Sequence, residues 1–99
     1  MTFGNYTTFT TFWSDFSIAD AFGKNAIKDT YKTAFNAWKN NYKYLTELVI
    51  ILNWKIWYHY ENGNEDFATL YNDLWEKADA YACDNLKGEE LSYFLNATD

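Results

Sequence analysis

From Phe67 to Ala82 the apolar residues recur every three or four positions: Phe67, Leu70, Tyr71, Leu74, Trp75, Ala78, Tyr81 and Ala82. That period is the one an α-helix needs to lay a continuous stripe on one side, and it is incompatible with the two-residue alternation of a strand. The same spacing recurs elsewhere along a chain that contains no proline. With no helix-breaking imide anywhere, the four glycines and a few asparagines are left to punctuate the fold.

Reading the chain on that basis predicts an all-α protein, a compact bundle of four to five helices. Residues 1–11, rich in threonine and aromatics, are expected as an irregular or short extended N-terminal arm, because one isolated extended segment cannot build a sheet. Residues 12–99 then form a single helical domain. A first helix is expected from about Phe12 to Phe22, with Ser14 or Ser17 as cap, Asp20 completing a capping box with Ser17, and Gly23 as the stop. A second, from about Asn25 to Asn40, is read with the stripe Ile27, Tyr31, Ala34, Phe35, Trp38 and Tyr42. The pair Asn40-Asn41 marks a break.

The third helix, about Tyr44 to Glu61, is apolar on more than one face, as expected of a central helix or one that docks a partner. Leu45, Leu48, Val49, Leu52 and Ile56 make one stripe, and Ile50, Trp54, Trp57 and Tyr58 cover much of the rest. Trp54, Trp57, Tyr58 and Tyr60 are read first as core, with an exposed partner-anchoring patch as the alternative. The fourth helix opens at the cap Asn64 with Glu65 and Asp66 in its first turn, and Lys87-Gly88 closes it. A short fifth helix over 89–95 packs Leu91, Phe94 and Leu95.

Chemistry-bearing motifs are sparse. His59 and Cys83 are alone of their kinds. They match no zinc spacing, so no metal, cofactor or catalytic residue is expected. Cys83 beside the fourth stripe reads as a buried thiol, and His59 as a partly buried histidine near a helix C-terminus. No phosphate-binding or dinucleotide-binding glycine motif and no zinc-protease motif occurs. One cysteine cannot form an intramolecular disulfide. The sequons Asn5-Tyr6-Thr7 and Asn96-Ala97-Thr98 matter only in a secretory pathway. Residues 1–11 lack the basic and apolar regions of a signal peptide, and the longest strongly apolar run, Leu48 to Leu52, is too short for a bilayer. The expectation is a cytoplasmic protein with no membrane partner.

Charge is unevenly distributed. The net charge is −6. Residues 1–60 hold six lysines and four acids, whereas residues 61–99 hold two lysines and ten acids. There is no arginine, the residue best suited to phosphate and guanine, so direct nucleic-acid binding is not expected. The expected partner is instead a basic surface, and Asp66, Asp73, Glu76, Asp79, Asp84, Glu89 and Glu90 are the residues expected to meet it. Acids spaced along such a helix stand roughly 5–11 Å apart, comparable to one or two backbone phosphates.

The segments FWSDFSIADAFG (12–23), NYKYLTELVIILNWKIW (41–57) and ADAYACDNLKGEELSYF (78–94) resemble small acidic proteins encoded on bacterial mobile genetic elements and phages. The resemblance spans roughly residues 11–99. It implies a non-enzymatic protein of the anti-restriction or anti-CRISPR kind, which inhibits a host defence nuclease by occupying its basic nucleic-acid-binding surface. The alternative is a structural or assembly domain that self-associates, as a homodimer, through the aromatic face of the third helix.

Overall fold

Three glycines set the chain's corners. Gly23, Gly63 and Gly88 have φ of 108°, 78° and 57°, values that L side chains rarely adopt. Between and around them, a computed structural model describes residues 6–98, with side chains from residue 10, as five helices: α1 Tyr6–Phe22, α2 Lys24–Trp38, α3 Tyr42–Glu61, α4 Glu65–Asn85 and α5 Gly88–Thr98. Among the described residues there is no strand. The radius of gyration is 12.9 Å, close to the ~13 Å of a compact 100-residue domain. No described helix is long and apolar enough to cross a membrane.

α3 is the central helix. It packs most extensively on α4 and also touches α1, α2 and α5. Leu45, Leu48, Val49, Ile51 and Leu52 are fully buried, which accounts for apolar residues on several of its faces. Against them pack Phe12 and Phe16 of α1, Ile27 of α2, Tyr71 and Leu74 of α4, and Phe94 of α5. Ala68, Ala78 and Ala82 keep the buried side of α4 narrow, which lets α3 and α4 approach closely. α2 lies at the rim: Ile27 is its single fully buried residue, Tyr31 and Phe35 are half-buried, and Trp38 is exposed.

Helix ends depart from expectation in several places, among them α2, which stops at Trp38, and α5, which runs past Leu95 to Thr98. α1 starts at Tyr6, so Ser17 and Asp20 lie inside it, and the anticipated capping box does not exist. Of the arm expected over 1–11, residues 6–11 belong to α1 and are neither irregular nor extended, and residues 1–5 lie outside the described residues. α3 starts at Tyr42, earlier than predicted, because the Asn41 side chain accepts hydrogen bonds from the backbone N–H of Lys43 (3.1 Å) and Tyr44 (3.2 Å). Asn64 does cap α4 in position, but its side chain makes no capping hydrogen bond. Finally, α4 ends at Asn85 with Leu86 extended and buried, and Gly88 opens α5 instead of closing α4.

Candidate functional site

The acids named from the sequence do not form one uniform face. At about 100° per residue, Asp66, Asp73 and Asp84 fall within about 20° of one another around α4, Glu76 lies about 60–80° off, and Asp79 about 140° from Asp66. Asp66 is 87% exposed and stands 3.7 Å from the Lys24 ammonium on α2. Asp73 lines a depression of about 420 Å³ together with Lys28, Lys32 and Lys77. The lysines of α2 therefore answer the acids of the first half of α4. Glu76 is exposed and accepts from the Asn72 amide at 2.9 Å. Asp79 is half-buried, and that burial pushes its carboxyl pKa up. Asp84 is exposed, as are Glu89 and Glu90 in the first turn of α5. The exposed acids thus collect at both ends of α4: Glu61, Glu65 and Asp66 at the α3–α4 corner, and Asp84, Glu89 and Glu90, with Lys87 among them, at the α4–α5 junction.

Cys83 shares this region and is exposed, against expectation. The buried positions of α4 run through Ala78 and Ala82 and pass on to Leu86, which leaves Cys83 on the outer side. The partial shielding from water that remains at this exposed site, then the charges of Asp79 and Asp84, raise its thiol pKa.

A buried polar cluster, unanticipated from the sequence, joins α1, α3 and α4. Asp20 Oδ2 accepts from the Lys55 ammonium at 2.9 Å and lies 2.9 Å from His59 Nε2. Asp20 Oδ1 accepts from the Tyr71 hydroxyl at 2.5 Å. Lys55 also donates to the Ser17 hydroxyl at 2.9 Å. The Asn64 amide is 3.3 Å from His59 Nδ1; as that amide nitrogen is a donor, Nε2 is left to donate to Asp20. His59 stacks on Tyr71, with ring centroids 5.4 Å apart, and meets the Phe67 ring edge-on. Burial first, then the hydrogen bond to Asp20 and its charge, push the Tyr71 hydroxyl pKa well up. Lys55, His59 and Tyr71 are 1%, 3% and 0% exposed. A substrate cannot reach their atoms without opening the bundle, so the cluster's chemistry is that of an internal tie.

The one sequence signal for this cluster is Lys55 itself, a charge between Leu52 and Ile56 on the central helix, with His59 one turn on. Its anchor Asp20 is 35 residues away from Lys55, and no local pattern links them.

The cluster also explains the exposed aromatics. Lys55 and His59 take the inward positions at the C-terminal end of α3, so the neighbouring rings turn outward. Trp54, Trp57, Tyr58 and Tyr60 are 52%, 57%, 46% and 63% exposed, which corrects their reading as core. Tyr58 packs edge-on against Trp13 of α1, with centroids 5.8 Å apart, and Trp57 against Tyr60 at 6.0 Å.

Among the described residues, no group of three or more histidine, cysteine or carboxylate side chains could hold a metal ion. No protein-family model, curated protein or solved structure matches this chain.

Proposed function

We propose that the protein is a non-enzymatic protein-binding module of the kind carried by mobile elements and phages. It acts in the cytoplasm, inhibiting a host defence nuclease by occupying its basic nucleic-acid-binding surface. The observation that carries this reading is the exposure of Glu76 midway along α4 and of Asp84, Glu89 and Glu90 at the α4–α5 junction, in the part of the chain that holds ten of the fourteen acids and two lysines. Glu76 and Asp84 are separated by about 12 Å along the helix axis, so the second half of α4 and the start of α5 present negative charge on the scale of a short run of phosphates. Asp66 and Asp73 contribute less, because α2 lysines stand beside them. The resemblance in segments 12–23, 41–57 and 78–94 supports the same reading.

The test is binding to a panel of purified CRISPR effectors and restriction enzymes, with and without DNA. The expected result is a complex that competes with DNA, weakens as salt rises, and is lost when Glu76, Asp84 and Glu89 are replaced together by lysine. Binding that survives the triple replacement overturns the acidic-surface mechanism.

The outward Trp54, Trp57, Tyr58 and Tyr60 favour a second reading, self-association through α3. A stable dimer in sedimentation, insensitive to salt and dissociated by Trp57→Ala, supports it; a monomer rules it out.

A further inference from the structure

The depression of about 420 Å³ between α2 and α4 is built from two matched helix faces. α2 lines it with Lys28, Tyr31 and Lys32, whose i, i+3 and i+4 spacing puts them on one side of the helix. α4 lines it with Leu70, Asp73, Leu74 and Lys77, which share a side for the same reason. Leu74 is buried and Leu70 half-buried, so the lining joins charged groups to an apolar surface.

The charge here runs against that of the chain. Three of the eight lysines meet one carboxylate, in a protein of net charge −6. Lys77 is one of the two lysines in residues 61–99, and the fold sets it opposite two lysines of α2. Among the described residues, Lys24 and Lys55 have ion-pair partners in Asp66 and Asp20, whereas Lys28, Lys32 and Lys77 have none. Ammonium groups gathered around one concavity repel one another and concentrate a field that draws in an anion. Tyr31 adds a neutral donor. Its hydroxyl has no hydrogen-bond partner among the described residues, and burial, by pushing its pKa up to about 12, keeps the proton in place at neutral pH.

We infer that this depression binds a small phosphomonoester, its dianionic head among Lys28, Lys32 and Lys77 and its organic body against Leu70 and Leu74. Three lysines less one aspartate leave two positive charges, which match the charge of such a head near neutral pH. Lysine holds phosphate as a point charge with rotatable donors, whereas a planar carboxylate is best gripped by the arginine fork that this chain lacks. The volume lies within the roughly 300–1,000 Å³ of small-ligand sites, more than a phosphate group alone fills, so an ester with a body suits it better than the free ion. The net negative field of the rest of the molecule disfavours a long polyanion at the same place. The site uses none of Glu76, Asp84, Glu89 and Glu90 and does not depend on the acidic-surface reading.

The experiment titrates the ¹⁵N-labelled full chain with phenyl phosphate near neutral pH and follows its backbone amides. Saturable shifts confined to the segments around Lys28 to Lys32 and Leu70 to Lys77 are expected. Phenyl sulfate has the same body with one charge, and inorganic phosphate has the charge without the body; each should bind more weakly than phenyl phosphate. Lys28→Gln and Lys77→Gln should each weaken binding about three- to fivefold, the scale of an exposed ion pair, with helicity unchanged by circular dichroism. Asp73→Asn should tighten it, because a repelling carboxylate leaves the depression. Lys87→Gln, at the other lysine of residues 61–99, should change nothing. Absent or unsaturable shifts, phenyl sulfate or inorganic phosphate binding as tightly as phenyl phosphate, equal effects of Lys77→Gln and Lys87→Gln, or failure of Asp73→Asn to tighten binding each overturn the site.

Discussion

The Lys55 ammonium of α3 stands 2.9 Å from Asp20 Oδ2 of α1, an ion pair in which the lysine is almost wholly sealed from water. A buried cation with its counter-charge removed is among the most costly states a small protein can adopt. Asp20→Asn should therefore destabilise the fold by about 3–5 kcal/mol, read as a lower urea midpoint. Adding Lys55→Met should recover part of that loss, because no ammonium is then buried without its counter-charge, and the asparagine can still accept from His59 through its oxygen while its amide N–H donates to the Tyr71 hydroxyl oxygen. If the double variant is as unstable as the sum of the two single variants, the pair is not coupled as described.

Tyr31 and Tyr71 set the alkaline limit. Burial pushes the Tyr31 hydroxyl from its ordinary 10.0 up to about 12, and Tyr71 shifts in the same direction. A folded-state pKa above the unfolded value means that the native protein holds the proton more tightly. The stability this contributes is full below pH 10 and is lost as pH rises through the folded value. Urea midpoints measured from pH 9 upward should fall steadily over about pH 10–12, and Tyr31→Phe should flatten the decline in that window.

Gly23 alone joins α1 to α2, with φ 108° and ψ −174°. A Cβ there meets no atom within 4 Å, so the cost of substitution is conformational and not steric. Gly23→Ala should destabilise by about 1–3 kcal/mol, the range for a residue held in glycine-only backbone space. Thermal unfolding checks it. Gly88→Ala, at φ 57°, should cost less, since that region is open to other residues at about 1–2 kcal/mol.

Cys83 should react with a disulfide reagent in the folded protein, because it is exposed. The thiolate is the reactive form, and partial shielding from water together with Asp79 and Asp84 disfavours it. Modification at neutral pH should be complete but slower than that of a free thiol such as glutathione. Asp84→Asn should accelerate it, measured as the rate of chromophore release.

Much of the helical frame was legible because periodicity and punctuation are local. The 3–4 spacing of Phe67 to Ala82 marks α4, and the lack of proline together with Gly23 and Gly63 marks where neighbouring helices part. The concentration of acids after residue 60 was equally legible, since a count needs no geometry. Local readings failed where two signals competed. Ser17 and Asp20 resemble a capping box, yet α1 runs through them. Trp54, Trp57, Tyr58 and Tyr60 look like core by hydrophobicity, yet they face out.

What the sequence by itself determined is the helical class, the approximate helix boundaries and the charge asymmetry, all properties of residues within a few turns of one another. Only the tertiary structure decided that Asp20, Lys55, His59 and Tyr71 converge, because the partners come from three helices and their attraction depends on exclusion from water. That convergence, by giving α3's inward positions to a lysine and a histidine, is what turns the tryptophans outward. Tertiary packing likewise set α2 lysines beside Asp66 and Asp73, while Asp84, Glu89 and Glu90 stand exposed at the α4–α5 junction.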